Sequence, residues 1–413
     1  MAALDGVRDR IEALLAGPDA ATAARYPGER AGRQPVHSVY VPADRFDADL
    51  PTRWGAEALA AVEAAGGIGH LLEVHDLVED ATEVERIGQL VLDKLHREPV
   101  EDLRIDFEDG YGDQGDEAED AAVAAAVRAI QTARDAGTLP PFLGIRFKCL
   151  EPGARHRGLR TLESFVTALA ADGLPEGLVL TLPKVTTVEQ VQAMVLALEA
   201  LEGALDLPVG RLGFEIQVET PQAIIGPDGY SLVGPMIAAG GGRVTGMPYG
   251  TYDYSASLGI AAAYQSMEHP AADFAKQMMQ VGAAGTGVRL SDGSTNVLPV
   301  GEPAAVDAAW ALHGRLVMRS LRRGFYQGWD MHPAQLPSRY AATYAFFRSG
   351  LSDVLTRLDN YLSERGGGVL DEPATAKAMA GFLLRGLDCG AVRAQEVPFE
   401  LAALRHLLGQ QTS

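Results

Sequence analysis

The sequence predicts a (β/α)₈ barrel, in which eight parallel strands alternate with helices. Short apolar runs recur along the chain, and long segments of helical period separate them, which is the order that builds a parallel sheet. An open nucleotide-binding sheet is disfavoured, because no Gly-x-Gly-x-x-Gly opens a helix after the first strand. The eight predicted strands are VHSVYVP (36–42), DLRIDF (102–107), PFLGIRF (141–147), GLVLTLPKV (177–185), RLGFEIQVE (211–219), GRVTGM (242–247), GVRLS (287–291) and GFYQGWDMH (324–332).

The segments between these strands have the marks of helices. The stretches 116–137 and 186–203 are rich in Ala and Leu, and the Glu-rich starts and Gly ends suit helix polarity and capping. Beyond Pro337 the strand pattern stops, and helices are predicted near 340–364, 373–388 and 398–410. We therefore expect three parts, which are an N-terminal helix and arm (1–35), a catalytic barrel (36–336) and a helical C-terminal extension (337–413).

Composition excludes several classes of function. The chain is 47% hydrophobic and 22% charged, as soluble globular proteins are. Its net charge of −20 argues against nucleic acid and anionic membranes as partners, since both attract basic surfaces. The first residues form an amphipathic pattern rather than a signal peptide. Cys149 and Cys389 are far apart and lack metal-ligand spacing, so we expect reduced thiols in a cytoplasmic protein.

Charged side chains stand at the ends of six of the eight predicted strands. The carboxyl ends of barrel strands meet on one face, so we expect these groups to converge there. Carboxylates that leave open positions suit Mg²⁺ or Mn²⁺, whereas zinc lacks a His or Cys pair here. Glu215 and Glu219 lie on the same face of the fifth strand, and the pattern alone leaves the choice between them open. The other charged strand-end residues are Asp106, Glu108, Asp109, Arg146, Lys148, Lys184, Asp253, Asp330 and His332.

Seven motifs in this order resemble those of a known family. The family is that of the HpcH/HpaI aldolases and citrate lyase beta-subunit-like proteins, which includes relatives of malyl-CoA lyase and, more distantly, malate synthase. The resemblance spans residues 36–336, and it implies a barrel of the phosphoenolpyruvate/pyruvate type. The motifs are VYVPADRF (39–46), IDFEDG (105–110), GIRFK (144–148), LPKV (182–185), IQVETPQAI (216–224), GTYDYSASLGI (250–260) and WDMHPAQL (329–336).

The resemblance implies a role for each matching position. Glu219 and Asp253 match the family's metal carboxylates, which decides against Glu215, and Arg146 matches its substrate-binding arginine. Residues 250–252 fall in a motif that contacts substrate. The remaining matches are the acidic loop (Asp106, Glu108 and Asp109), the lysine expected to neutralise it (Lys184), the substrate-contacting Gly250, Thr251 and Tyr252, and His332, which has a structural hydrogen bond or a catalytic role.

The function that the resemblance implies is a Mg²⁺- or Mn²⁺-dependent carbon–carbon lyase or aldolase. Its substrate would be a 2-oxo acid or a related acyl compound, including acyl-CoA, and cleavage would pass through a metal-stabilised enolate. Barrels of this family commonly associate, so a homo-oligomer is expected. The general base stays open between a metal-bound hydroxide, His332 and a carboxylate of the extension such as Asp388.

Other functions remain as alternatives. A CoA-thioester hydrolase or a malate-synthase-like condensing enzyme would use the same metal site. A Schiff-base aldolase would use Lys184 or Lys148, but the neighbouring acidic residues should raise the lysine pKa and so oppose that chemistry. A non-catalytic barrel that binds a metabolite is the remaining alternative.

Overall fold

The computed structural model describes residues 4, 6–363 and 372–410, and its centre is a set of eight parallel strands. Each strand lies within or across one of the eight predicted runs, so the predicted fold class is confirmed. The strands are β1 (His37–Pro42), β2 (Asp102–Asp106), β3 (Phe142–Arg146), β4 (Leu178–Leu182), β5 (Phe214–Ile216), β6 (Val244–Pro248), β7 (Arg289–Ser291) and β8 (Gly328–Asp330).

The strands close into a barrel. Strands β1 to β7 follow one another in order, and β8 pairs with β1. Between β7 and β8 a parallel bridge joins Ser291 to Gln327, and the Asp292 amide donates to the Gln327 carbonyl at 2.8 Å. Closure pairs the strands at both edges and leaves a single interior whose mouth lies at the strand carboxyl ends.

Helices surround the barrel and connect its strands. They are α1 (Arg8–Arg25), α2 (Leu50–Ala64), α3 (Ile68–His75), α4 (Ala81–Arg97), α5 (Asp116–Ala136), α6 (Arg155–Ala170), α7 (Val188–Ala204), α8 (Pro221–Ile224), α9 (Val233–Ala239), α10 (Thr251–Ser257), α11 (Pro270–Ala283), α12 (Pro303–Arg322), α13 (Leu336–Leu362), α14 (Pro373–Cys389) and α15 (Leu401–Leu407). None of the helices within the described residues is long and apolar enough to cross a membrane.

Helix α13 directly follows the last strand. It packs against α12 and α4, which are the helices that follow β7 and β1, and so it takes the place of the eighth barrel helix. α14 then packs on α13, and α15 packs on α14. The division of the chain at residue 336 stays a prediction. Position 364 of the predicted helix 340–364 and the extreme ends of the chain lie outside the described residues.

The N-terminal arm crosses the amino-terminal end of the barrel. Helix α1 buries none of its side chains, but the arm after it is tied to the strands. The Gly28 amide donates to the Gly285 carbonyl at 2.8 Å, and Arg289 donates through Nη1 to the Arg33 carbonyl at 2.6 Å. This arm therefore lies at the end of the barrel opposite to the mouth, where the strands begin.

Candidate active site

Asp106 and Arg146 form a fixed ion pair at the mouth of the barrel. The register of β2 and β3 places the two residues side by side at the ends of their strands. Asp106 accepts from Arg146 Nε and Nη2, each at 2.7 Å, and both side chains are buried. The same two oxygens of Asp106 also accept from the amides of Glu108 and Gly110, and these hydrogen bonds shape the acidic loop. The bidentate geometry holds the guanidinium plane in one orientation.

The third nitrogen of the Arg146 guanidinium has only long contacts. Nη1 lies 3.5 Å from Gln217 Oε1 and 3.6 Å from Glu108 Oε2. The rings of Tyr40 and Trp329 lie 5.0 Å and 5.8 Å from the guanidinium carbon and form an aromatic wall inside the barrel. Arg146 therefore keeps a donor for an oxygen atom of a bound molecule while its other nitrogens stay fixed.

Lys184 lies at the centre of a group of carboxylates that we call the acidic cluster, made of Glu108, Asp109, Glu219 and Asp253. Its Nζ is 2.7 Å from Asp109, 2.8 Å from Asp253 and 3.0 Å from Glu108. Burial alone would lower the pKa of Lys184, but Glu219 and Glu108 raise it above the ordinary value. The lysine is therefore a cation surrounded by carboxylates, and its role in neutralising the acidic loop stays a prediction.

The backbone of Lys184 is also unusual. Its φ is 50°, in the left-handed region that costs a lysine about 1–2 kcal/mol. This conformation points the Lys184 amide at Glu219 Oε1, which accepts from it at 2.7 Å. In this strained conformation Lys184 contacts all four members of the acidic cluster. Its Nζ contacts three of them, and its backbone amide contacts Glu219.

Glu219 is the most buried member of the acidic cluster. Its second oxygen accepts from Gln217 Nε2 at 2.7 Å, and only 2% of the residue is exposed. Burial raises the pKa of Glu219 to about 8, although Arg146 and Lys184 both attract the charged form. The attraction of these two cations for the charged carboxylate is thus weaker than the cost of removing that carboxylate from water.

Asp253 reaches the acidic cluster from the short helix α10, while Gly250 lies at the start of that helix. A Cβ at Gly250 would stand 2.6 Å from Glu219 Cβ and 2.9 Å from its Oε2. Only glycine therefore allows the α10 backbone to approach the carboxylate so closely. The approach brings Asp253 and Glu219 to the same lysine, from two neighbouring strands.

The donor set fits a hard divalent cation. No three His, Cys, Asp or Glu side chains in the described part of the chain have the spacing of a complete metal site. Mg²⁺ needs fewer, because it keeps several waters and often binds through one or two carboxylates. The acidic cluster offers four carboxyl groups around the single ammonium of Lys184, and its negative charge grows as Glu219 loses its proton.

Thr251 and Tyr252 contact protein rather than the open mouth. The Ser294 amide donates to Thr251 Oγ1 at 3.3 Å, and the Asn296 amide donates to the Tyr252 hydroxyl at 2.6 Å. Both residues thereby hold the loop that follows β7. Their predicted contact with substrate stays a prediction, and what the structure adds is their role in positioning this loop.

Neither His332 nor Asp388, the two side chains predicted as general bases, forms a hydrogen bond or ion pair with the acidic cluster in the described part of the chain. His332 accepts from the Ala334 amide at 3.1 Å and caps a short turn, and burial lowers its pKa although Glu57 of α2 raises it. Asp388, on α14, lines a cavity at the amino-terminal end of the barrel together with Arg289. A role for His332 in hydrogen bonding matches this position, whereas a catalytic role stays untested.

The sequence offered Lys148 and Lys184 as alternatives, and likewise Glu215 and Glu219. The structure places the two members of each pair in different surroundings. Lys148 donates to the carbonyls of Phe107 and Gly112 and pairs with Glu119 at 2.8 Å, so it braces the acidic loop. Glu215 lies deeper in the barrel and accepts from Arg104 at 3.1 Å. It lies outside the acidic cluster, and the choice of Glu219 over Glu215 as the metal ligand stays a prediction.

Comparison with known proteins assigns a family. The profile of a family described as "Domain of unknown function (DUF6986)" matches residues 15–412. The chain belongs to the DUF6986 family. No curated protein matches this DUF6986 chain significantly.

Solved structures show what the DUF6986 fold is similar to. A citrate lyase from Burkholderia xenovorans LB400 has a TM-score of 0.60 and 18% identity, over 92% of this chain and 99% of that one. A malate synthase from Haloferax volcanii, solved as its magnesium and glyoxylate complex, has a TM-score of 0.52 and 13% identity, over 87% and 99% of the two chains. At these identities the likeness shows a shared fold, and it supports the predicted resemblance at that level.

Two residues of the DUF6986 site, Gln217 and Tyr40, were not predicted from the sequence. Gln217 lies between Glu219 and Arg146, while Tyr40 and Trp329 wall the guanidinium. Alternation along the predicted fifth strand places residue 217 on the same face as Glu215 and Glu219, so the period of two could have identified it. Tyr40 had no such signal, because its ring comes within 4.5 Å of the Trp329 ring only when β1 and β8 close the barrel.

Proposed function

We propose that this protein is a divalent-metal-dependent enzyme that makes or breaks a carbon–carbon bond beside the carbonyl of a small 2-oxo acid or related acyl substrate. One observation carries the proposal. Glu219 and Asp253 both contact Lys184 in a cluster of four carboxyl groups, and a fixed arginine with a spare donor lies beside it. A cation site next to a guanidinium is the arrangement that binds and polarises an oxo acid.

Glu219 and Asp253 would hold the cation. Both offer carboxylate oxygens, and the close approach at Gly250 brings them together. A bound Mg²⁺ or Mn²⁺ would act as a Lewis acid on the carbonyl oxygen of the substrate. Glu108 and Asp109 would hold water molecules around it, as carboxylates next to metal ligands commonly do.

Arg146 would bind the substrate. Its Nε and Nη2 are committed to Asp106, so Nη1 is the donor that faces an incoming carboxylate or a developing oxyanion. Because the guanidinium is already oriented, little reorganisation is needed when negative charge develops. The Tyr40 and Trp329 rings exclude water from its inner side, which strengthens this interaction.

A Schiff-base mechanism is disfavoured by the same geometry. Such chemistry needs a lysine whose pKa is lowered so that the neutral amine can attack. Carboxylates on three sides of Lys184 raise its pKa instead, and Lys148 is occupied by two carbonyls and Glu119. The fold is in keeping with metal chemistry, since the Haloferax malate synthase of the same fold was solved with magnesium and glyoxylate.

Hydrogen–deuterium exchange tests the proposal without knowledge of the second substrate. Pyruvate or 2-oxobutyrate in D₂O, followed by proton NMR, should lose the signal of the protons next to the carbonyl when protein and Mg²⁺ are present. We expect exchange to stop in EDTA and to fall at least about tenfold in Glu219→Gln and Arg146→Gln, the size of effect that such groups have in other enzymes.

The matched control is Glu215→Gln, the same change on the same strand face but directed at Arg104 rather than at the acidic cluster. It should retain exchange, and circular dichroism checks the folding of all variants. Exchange that persists in EDTA, or that is absent with both oxo acids, would contradict the proposed function.

A further inference from the structure

A second cavity lies at the amino-terminal end of the barrel, opposite to the acidic cluster. Its volume is about 440 Å³, within the range of small-molecule sites. Three parts of the chain line it, namely the N-terminal arm from Gly28 to Gln34, the segment that leads into β7, and the helices α14 and α15. A molecule bound there would contact the arm, the barrel and the C-terminal helices together.

The charge of this cavity is the reverse of the charge of the whole chain. Five arginines line it against two carboxylates, Glu29 and Asp388, which leaves a local excess of positive charge in a chain of net charge −20. Arg385 pairs with Glu29 at 2.8 Å, and Arg33 pairs with Glu98 and Glu101, which do not line the cavity. The other three arginines form no ion pair with any described residue, and they are Arg30, Arg289 and Arg405.

Arg289 is held in place without a direct ion pair. It donates to the carbonyls of Arg33 and Gly32, each at 2.6 Å, so its guanidinium has a fixed position. Arg30 and Arg385 repel this guanidinium, whereas Asp388 and Glu29 attract it and offset part of that repulsion. Burial, followed by repulsion from Arg30, lowers the pKa of Arg289 to about 10. An anion in the cavity would relieve this repulsion.

We propose that this cavity binds a small molecule carrying at least two acidic groups, either phosphates or carboxylates. Arg289 forms the fixed base of the site, and the unpaired Arg30 and Arg405 close on the ligand from the arm and from α15. Guanidinium groups bind both kinds of anion through paired hydrogen bonds. The site is independent of the acidic cluster, so the proposal does not rest on the proposed function.

Calorimetric titration with pyrophosphate and with citrate tests this site, on protein freed of metal by passage over a chelating resin and at about 150 mM salt so that weak surface attraction is screened. We expect saturable binding of one molecule per chain by at least one probe, and the tighter probe identifies the acidic group. Arg30→Gln and Arg405→Gln should each weaken it about tenfold or more, because each removes a charged hydrogen bond. Neither side chain has a partner in the described chain, so both variants should fold.

Two controls separate this site from other anion binding. Arg128→Gln removes one exposed charge from α5, and Glu219→Gln alters the opposite end of the barrel. Both should bind the probe as the unmodified protein does. Absence of saturable binding, equal weakening in Arg128→Gln, or loss of binding in Glu219→Gln would overturn the proposal.

Discussion

The Nζ of Lys184 lies 2.8 Å from the Oδ2 of Asp253, so a protein ammonium already occupies the oxygen that a metal ion would use. Lys184 also contacts Glu108 and Asp109, which makes it the internal counter-cation of the acidic cluster. A dication and this ammonium would repel each other if both stayed in place. A metal ion at the proposed site would therefore compete with the lysine.

Substitution of this lysine should strengthen metal binding. Lys184→Met keeps the aliphatic stem but removes the competing charge, and we expect Mn²⁺ to bind about tenfold more tightly. Without metal the same variant should be less stable than the unmodified protein, because four carboxylates lose their common cation. Calorimetry and thermal unfolding measure the two effects.

Lys377→Met on α14 is the control, and weaker metal binding in Lys184→Met would show that the lysine supports the site.

The close approach at the start of α10 gives a second prediction. The methyl group of Gly250→Ala would stand 2.6 Å from Glu219 Cβ, so either the carboxylate or α10 must move. We expect metal affinity to fall at least about tenfold, since a ligand displaced by an ångström loses most of its contact. Gly203→Ala in α7 meets nothing within 4 Å and is the matched control. Unchanged affinity in Gly250→Ala would mean that Glu219 does not bind the metal.

Borohydride reduction separates the metal mechanism from the Schiff-base alternative. The raised pKa of Lys184 keeps its amine protonated, so no imine with pyruvate should form. Mass spectrometry after reduction in the presence of pyruvate should therefore show the unmodified chain. A pyruvate adduct on Lys184 that is absent from Lys184→Met would contradict the metal account.

The barrel and the position of its acidic cluster could be predicted because parallel strands share a direction. Asp106, Arg146, Lys184 and Glu219 each follow the end of a buried strand, and closure of the sheet brings those ends together. The choice of Glu219 over Glu215 came from the resemblance rather than from the pattern. The two lie on one face of β5, and only their depth along the barrel distinguishes them.

Side-chain directions in the loops could not be predicted in the same way. His332 turns back to cap its own helical turn, and Tyr252 turns to the loop after β7, because local hydrogen bonds decide these rotamers. The cavity around Arg289 was also missed, since its arginines come from distant parts of the sequence. The homo-oligomer and the cytoplasmic location remain predictions.

A buried histidine predicts how stability depends on pH. Burial lowers the pKa of His75 from 6.5 to about 3, and its Nε2 lies 2.9 Å from Ser338 Oγ on α13. The unfolded chain therefore binds more protons than the folded one between these values. The stability that neutral His75 contributes is complete above pH 6.5 and is lost progressively as the pH falls toward 3.

Each pKa unit corresponds to about 1.36 kcal/mol, so the whole interval sets an upper limit of roughly 5 kcal/mol. Urea unfolding between pH 7 and pH 4 measures the slope of the unfolding free energy against pH, over the window that the two pKa values define. The slope should be smaller in His75→Gln, which cannot take up the proton. An equal slope in both proteins would assign the acid sensitivity to other groups.

The most direct test of the central claim is calorimetric titration of Mn²⁺ together with pyruvate, glyoxylate or oxaloacetate. The account predicts that the oxo acid binds only when metal is present, and that Glu219→Gln and Asp253→Asn each abolish this binding while Glu215→Gln retains it. Binding that persists in EDTA and in both variants would contradict a metal site at Glu219 and Asp253.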